Sequence, residues 1–458
     1  MYGFLSKSCS TTIKKFWFLK NLESKYFILL GLFIALTFSI TFPTDSYSIG
    51  VEVRDKEGDL IISSGTPQNQ FEFGVLFIPL LLSNLTLLTI GILNYKKKLP
   101  ILIKAPINFI FNFEISRKVA VIIITSLLIL YIGFSVEELQ YEETLGDYYG
   151  VKKAAENFNF ESLTGFGAHL RYFLLHISLN FFGNIRIIPF IASIALLILT
   201  YYITFKISKK RFAGIIAMII LLQSHLFLEY DATATYTNFW TLFYLLSLYL
   251  IYKKWYLSPI AYVLSIFSKP LTAVFLPMTL FFTYRSDISK RNKLRILFSY
   301  SIIAFAGLLL FLFGIYGFQL YEISVGGFIT GFKDFPNFLR FDGLIILFLL
   351  PLVVGLFLIS RKGCLQAESI MVLIVGVLLS GSLLSGFTDL TNQPYRYVPL
   401  VVFFAIGVGT LLSQCPTSNI GKKSISYLVF SISLAIVTFN LVSVIFPALI
   451  QGQYRLVL

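Results

Sequence analysis

Long uninterrupted apolar runs recur from one end of this 458-residue chain to the other, and they leave few architectures open. VAVIIITSLLILYIGF, residues 119–134, is one of them. A run of about 20 such residues is what an α-helix needs to cross a hydrocarbon core of about 30 Å. Charged residues make up only 13% of the chain, against roughly 25% in a soluble domain. The reading is an all-α polytopic membrane protein. Thirteen spans are expected, near 26–42, 74–93, 118–135, 187–205, 212–229, 238–252, 256–267, 270–284, 296–317, 342–360, 367–385, 398–414 and 426–448. The first has no small-residue cleavage site and reads as an anchor.

Net charge is +14, which in a soluble protein would suggest nucleic acid. Here the alternation of loops accounts for it, and no nucleic-acid partner is expected. With the N-terminus cytoplasmic, the inner segments and their flanks hold 26 of the 37 Lys and Arg, and the outer ones 19 of the 23 acids. That distribution satisfies the positive-inside rule with a single orientation. It requires 168–183, AHLRYFLLHISLNFFG, to be an amphipathic helix in the outer interface rather than a span, with His169, His176 and Asn180 recurring along one side. Cys9, Cys364 and Cys415 all fall on the inner side, so no disulfide framework is implied. Two domains are expected: 1–117, a two-helix membrane hairpin whose small outer loop (44–73) has strand-like pieces, and 118–458, the main helical domain.

The chemistry-bearing residues concentrate on the outer side. EELQYEETLGDYYGVKKA, residues 137–154, places five carboxylates within eleven residues directly after a span. The plain reading is an acidic loop obeying topology; the sharper one makes one carboxylate a general base beside the lipid surface. Asp147 is best placed, at the first turn of a short helix whose dipole favours an anion, with Tyr148 next to it. Asp231 is the only acid of 230–237, between Tyr230 and Tyr236. Lys269 sits at the tip of a hairpin, 256–284, too short for two full crossings, so its ammonium meets an apolar setting and calls for an anion such as a lipid phosphate. Arg396, flanked by Tyr395 and Tyr397, suits bidentate phosphate binding at the outer end of a span.

The spans themselves carry almost no ionisable groups, Asn84, Gln223 and His225 being the main polar exceptions. An ion-coupled transporter keeps such groups at the midplane. No metal-ligand spacing occurs and the three histidines are scattered, so no metal is expected. No nucleotide-binding loop occurs either; no cofactor is expected, which fits a donor already carried by lipid.

In order along 118–414, the chain resembles the integral-membrane glycosyltransferases of the GT-C fold, among them the protein O-mannosyltransferases and the lipid A aminoarabinose transferases. The resemblance rests on DYYGVKKA after a span, on Phe182-Gly183 before Arg186, on YDATATYTNFW, on SIFSKPLTAVFLP and on PYRYVPLVVFF. It implies a GT-C-like core of helices with interfacial helices in the first large outer loop. The implied activity is transfer of a sugar from a polyprenyl-phosphate donor to a hydroxyl of an acceptor glycan, lipid or protein, at the outer face of the cell membrane. Asp147 would be the base of an inverting reaction, with Asp231 orienting. Lys269 and Arg396 would meet the leaving phosphate, assisted by His169, Arg186, Tyr148 and Tyr397. The family often shows Asp-Glu where Gly146-Asp147 stands, so the pair Glu142-Glu143 competes with Asp147 for that position. A lipid-carrier flippase and a non-enzymatic assembly subunit are the alternatives.

Overall fold

The computed structural model describes residues 53–54, 60–61, 77–143, 147–159, 168–312, 325–334, 339, 342–384, 394–413 and 423–445. The expected first span (26–42), Gly146 and most of the 44–73 and 318–341 loops lie outside them. Two short strands, β1 (Val53–Arg54) and β2 (Leu60–Ile61), pair antiparallel with Val53 opposite Ile61; every other regular element described is helical. The chain divides into two compact units, Met1–Gln68 and Asn69–Leu458, and the expected boundary at 117/118 falls inside the second.

The second unit begins with α1 (Phe77–Tyr95), α2 (Ile101–Asn112), α3 (Arg117–Ser135) and α4 (Tyr148–Glu156). It continues through α5 (His169–Phe182), α6 (Ile187–Ser208), α7 (Arg211–Leu222), α8 (His225–Glu229) and α9 (Phe239–Lys253). Next come α10 (Ser258–Ser268), α11 (Leu276–Arg285), α12 (Lys290–Leu312) and α13 (Val325–Asp334). The last four are α14 (Gly343–Ser360), α15 (Leu365–Leu384), α16 (Val398–Leu411) and α17 (Lys423–Ile445). Among the described residues, five stretches are long and apolar enough to cross a membrane: α3, α6, α14, Pro394–Leu411 and Ile425–Val442. Shorter apolar helices, α7, α9 and α10 among them, pack between these.

The centre is built from α6, α7 and α16, each packed on the other two, with α9 against α6 and touching α16 through the Tyr244 and Phe403 rings. Pro394–Leu411 is buried over 78% of its length, whereas α3 is buried over only 17% and turns Ile122, Ile129, Leu130 and Phe134 outward. An apolar rim around a packed centre is what lipid solvent permits. Lipid tails offer no hydrophobic drive between helices, so close backbone approach through small residues supplies the packing. At Gly409 of α16 an added Cβ would stand 2.3 Å from Thr204 Cγ2 on α6 and 2.8 Å from the Ala213 carbonyl oxygen on α7. Neither a stiff β-branched side chain nor a backbone carbonyl can retreat cheaply. Gly409→Ala therefore costs about 1–3 kcal/mol. A thermal-unfolding scan in detergent should show a lowered midpoint, with Gly133→Ala on the outward face of α3, where nothing lies within 4 Å, as a control that keeps or slightly raises it.

Two local features depart from the expected spans. The run 212–229 is not one helix: α7 stops at Leu222, and Ser224 caps α8 by accepting from the Phe227 N–H at 3.2 Å. The same hydroxyl donates to the buried Asp342, which caps α14 through the N–H groups of Leu344 and Ile345. The hairpin at 256–284 turns back through a 3₁₀ segment, Pro270–Phe275, held by the Tyr262 hydroxyl donating to the Thr272 and Ala273 carbonyls. At the other end of this bundle, Arg285 and Glu368 form a buried ion pair, and Ser426 donates to Glu368; the three tie α11, α15 and α17 together.

Candidate functional site

The segment between α8 and α9, Tyr230–Asn238, is rich in Thr and Asn and forms no regular element, so its backbone polar groups must find partners elsewhere. They find them in side chains from three directions. Glu143, nearly buried, accepts from the N–H groups of Ala234 and Thr235 and from the Thr235 hydroxyl. Arg171, on the first turn of α5, donates to the carbonyls of Ala234 and Thr235, at 3.3 and 2.6 Å. Arg186 donates through Nε to the Ala232 carbonyl at 3.0 Å, and its other nitrogens reach the Glu138 carboxylate and the carbonyls of Glu138 and Tyr141. Ser193 donates to the Asp231 carbonyl, and Asn238 to Ser193 and the Tyr230 carbonyl.

This stapling fixes an aromatic cluster. The Tyr236 ring stacks on Tyr395 with centroids 4.2 Å apart, and Tyr230 meets both rings edge-on, at 5.9 and 6.0 Å. On one side, the Tyr236 hydroxyl donates to Asp147 Oδ2 at 3.2 Å. Asp147 is exposed and immediately precedes α4, and its side chain makes no capping bond to that helix. On the other side, Lys269 Nζ lies 3.8 Å from the Tyr395 ring centre and 4.8 Å from that of Trp240. Asp147 and Lys269, 122 positions apart in the chain, thus meet at two ends of one aromatic stack.

Lys269 Nζ, Arg396 Nε and Arg171 Nε are shut off from solvent, and the Tyr395 hydroxyl is the polar group that Lys269 and Arg396 share. Arg171 and Arg396 both lie within electrostatic reach of Lys269. The rings return only about 0.5–2 kcal/mol to a cation, less than the cost of burying an unpaired one.

Asp231 has a different setting. It is 2% exposed; one carboxylate oxygen accepts from the Tyr131 hydroxyl at 2.7 Å and the other has no partner. Burial pushes its carboxyl up to about 7, with the Tyr131 hydrogen bond and Arg186 pulling down and Glu138 pushing up. Since the folded value lies above the ordinary 3.8, the native chain holds a proton the unfolded chain has released between about pH 4 and 7. Stability from this group is full below that window and falls as pH rises through it. Asp231→Asn should match the parent in thermal scans at pH 4 and exceed it at pH 7.5, flattening the profile between.

The remaining candidates are distributed as follows. Glu142 is exposed and pairs with Lys152 at 2.6 Å. Tyr148 is buried in a cluster with Val151, Leu175 and Phe239, and Tyr397 is fully buried. His169 is the first residue of α5, one turn before Tyr172. His176 Nδ1 lies 2.8 Å from the Ala155 carbonyl and Nε2 lies 2.8 Å from Asn180, so those two residues fasten α5 to α4. Arg171 is the residue sequence reasoning passed over. Its signal was a cation on the first turn of an amphipathic helix, two positions from His169. No protein-family model, no curated protein and no solved structure matches the chain.

Proposed function

We propose that this protein is a membrane glycosyltransferase of the GT-C type, moving a sugar from a polyprenyl-phosphate donor to an acceptor hydroxyl at the extracytoplasmic face. The observation that carries the reading is the cluster of three buried cations, Arg171, Lys269 and Arg396, with no carboxylate paired to them and one ring-stack away from the exposed Asp147. A donor phosphate would supply the counter-charge that the Tyr395 hydroxyl alone does not. As the sugar–phosphate bond breaks, charge grows on the leaving oxygen, and preorganised cations in a water-poor site stabilise it where it forms. That leaving group needs no proton. The acceptor hydroxyl does need to lose one, and Asp147 is the accessible carboxylate positioned to take it; Glu142 and Glu143 are engaged with Lys152 and with the 234–235 backbone. A single base opposite a phosphate site gives one displacement and inversion at the sugar carbon.

The thirteen spans expected from the sequence, with the distribution of Lys and Arg between their loops, favour an outward-facing site with the N-terminus cytoplasmic. Purified protein in proteoliposomes, supplied with polyprenyl-phosphate sugars and scored for release of polyprenyl phosphate, tests the activity. Extracytoplasmic glycans compared with and without the gene identify the acceptor. A glycan profile that does not change, together with no release from any donor, would leave the assembly-subunit reading in its place.

A further inference from the structure

Far from the aromatic stack, α2 lies between two apolar helices and covers little of the protein. The chain leaves α1, which packs on the span α14, through a tight turn with Lys97 in the left-handed region (φ 58°). That turn is closed by the N–H groups of Lys96 and Lys98 donating to the Ile92 and Leu93 carbonyls. Leu99 is buried under it at 6% exposure while Lys96, Lys97 and Lys98 stand exposed. Along α2, Lys104, Asn108 and Asn112 recur every fourth residue and are all exposed, so they share one polar stripe. Ile103, 40% exposed, and Ile110 lie on the opposite face.

Among the described residues, the far end of α2 is fastened to the protein by three contacts. The Lys210 ammonium donates to the Phe111 carbonyl, Phe113 meets Phe212 edge-on at 4.9 Å, and Glu114 accepts from the Arg211 backbone N–H at 3.1 Å. Residues 96–118 hold six cations and one acid, and that acid, Glu114, is the one paired with Arg211.

We propose that α2 is an interfacial helix that docks on the membrane surface through Ile103 and Ile110 and gathers acidic phospholipid headgroups with Lys96, Lys97, Lys98 and Lys104. The chain on either side fixes its depth, because α3 enters the membrane directly after it and α1 ends directly before it. An amphipathic helix with a basic flank binds such a surface by apolar insertion and by attraction to anionic lipid together. This inference is independent of the transferase reading.

The test uses the full chain in nanodiscs, with Cys9, Cys364 and Cys415 replaced and single spin labels at Ile103→Cys and Asn108→Cys. In phosphatidylcholine discs containing phosphatidylglycerol, the Ile103 label should be relaxed by oxygen, which partitions into lipid, and the Asn108 label by a water-soluble nickel chelate. Native mass spectrometry should show the variant with Gln at 96, 97, 98 and 104 retaining severalfold less phosphatidylglycerol than the parent. Two labels equally open to the aqueous relaxant overturn the proposal. So does unchanged lipid retention, and so does a short label-to-label distance between two copies, which would mean that α2 covers itself with a second chain.

Discussion

Lys269→Met should abolish sugar transfer and at the same time raise the melting temperature of the donor-free protein. The two effects have one cause. An ionisable group held in the apolar interior costs about 2.5–3.5 kcal/mol on insertion scales, and the faces of Tyr395 and Trp240 return only part of that. Methionine keeps the length and fills the cage without a charge, so a net gain of about 1 kcal/mol is expected in the empty protein. Function moves the other way. Removing one preorganised donor from an oxyanion-type site lowers kcat by about 10²–10³, and here the donor's binding energy goes with it. Scanning calorimetry with and without donor lipid checks both halves: the variant should melt higher alone and lose the donor-dependent rise that the parent shows. A variant that melts lower, or that still responds to donor, would make Lys269 a packing residue.

Asp147→Asn should leave donor binding intact and stop turnover. A positioned base contributes about 10²–10⁴ in rate, and the amide keeps the shape of the carboxylate and its bond from the Tyr236 hydroxyl. The expected result is a loss of at least about a hundredfold in kcat, with donor affinity within a factor of about two by equilibrium binding. Glu142→Gln serves as the control: its carboxylate only pairs with Lys152 at the surface, a contact of about 0–1 kcal/mol. If the control loses turnover and Asp147→Asn keeps it, the base is in the neighbouring pair and the first-loop assignment moves by five positions.

Much of this arrangement was legible before any coordinates. Apolar runs located α3, α6, α14 and the stretch ending in α16, because lipid solvent admits little else of that length and composition. The helix at 169–182 was readable from the spacing of His169, His176 and Asn180 along one side, and it ends at Gly183, which takes φ 66°. Asp147 and Lys269 were singled out by charge in an apolar context. What stayed hidden was pairing across long separations. Nothing local marks Tyr236 and Tyr395, 159 positions apart, as partners in a stack. Nor does a glutamate's identity separate a catalytic base from a backbone staple; Glu143 is the latter only because Ala234 and Thr235 happen to fold against it. The break at Gln223–Ser224 hid for a related reason, since Ser224 is held as a cap by a hydrogen bond it donates to Asp342, 118 positions away.

The stapling of Tyr230–Asn238 has a consequence for how the chain is made. Glu143, Arg171 and Arg186 all precede the segment they hold, so a ribosome delivers the template before the part to be moulded. Tyr395 is translated last among these groups and completes the stack only after most of the chain has been inserted. A nascent chain halted before Pro394 would therefore present the held loop without the ring that stacks on Tyr236, and the cluster would be completed late in biogenesis, when Tyr395 and Arg396 arrive together.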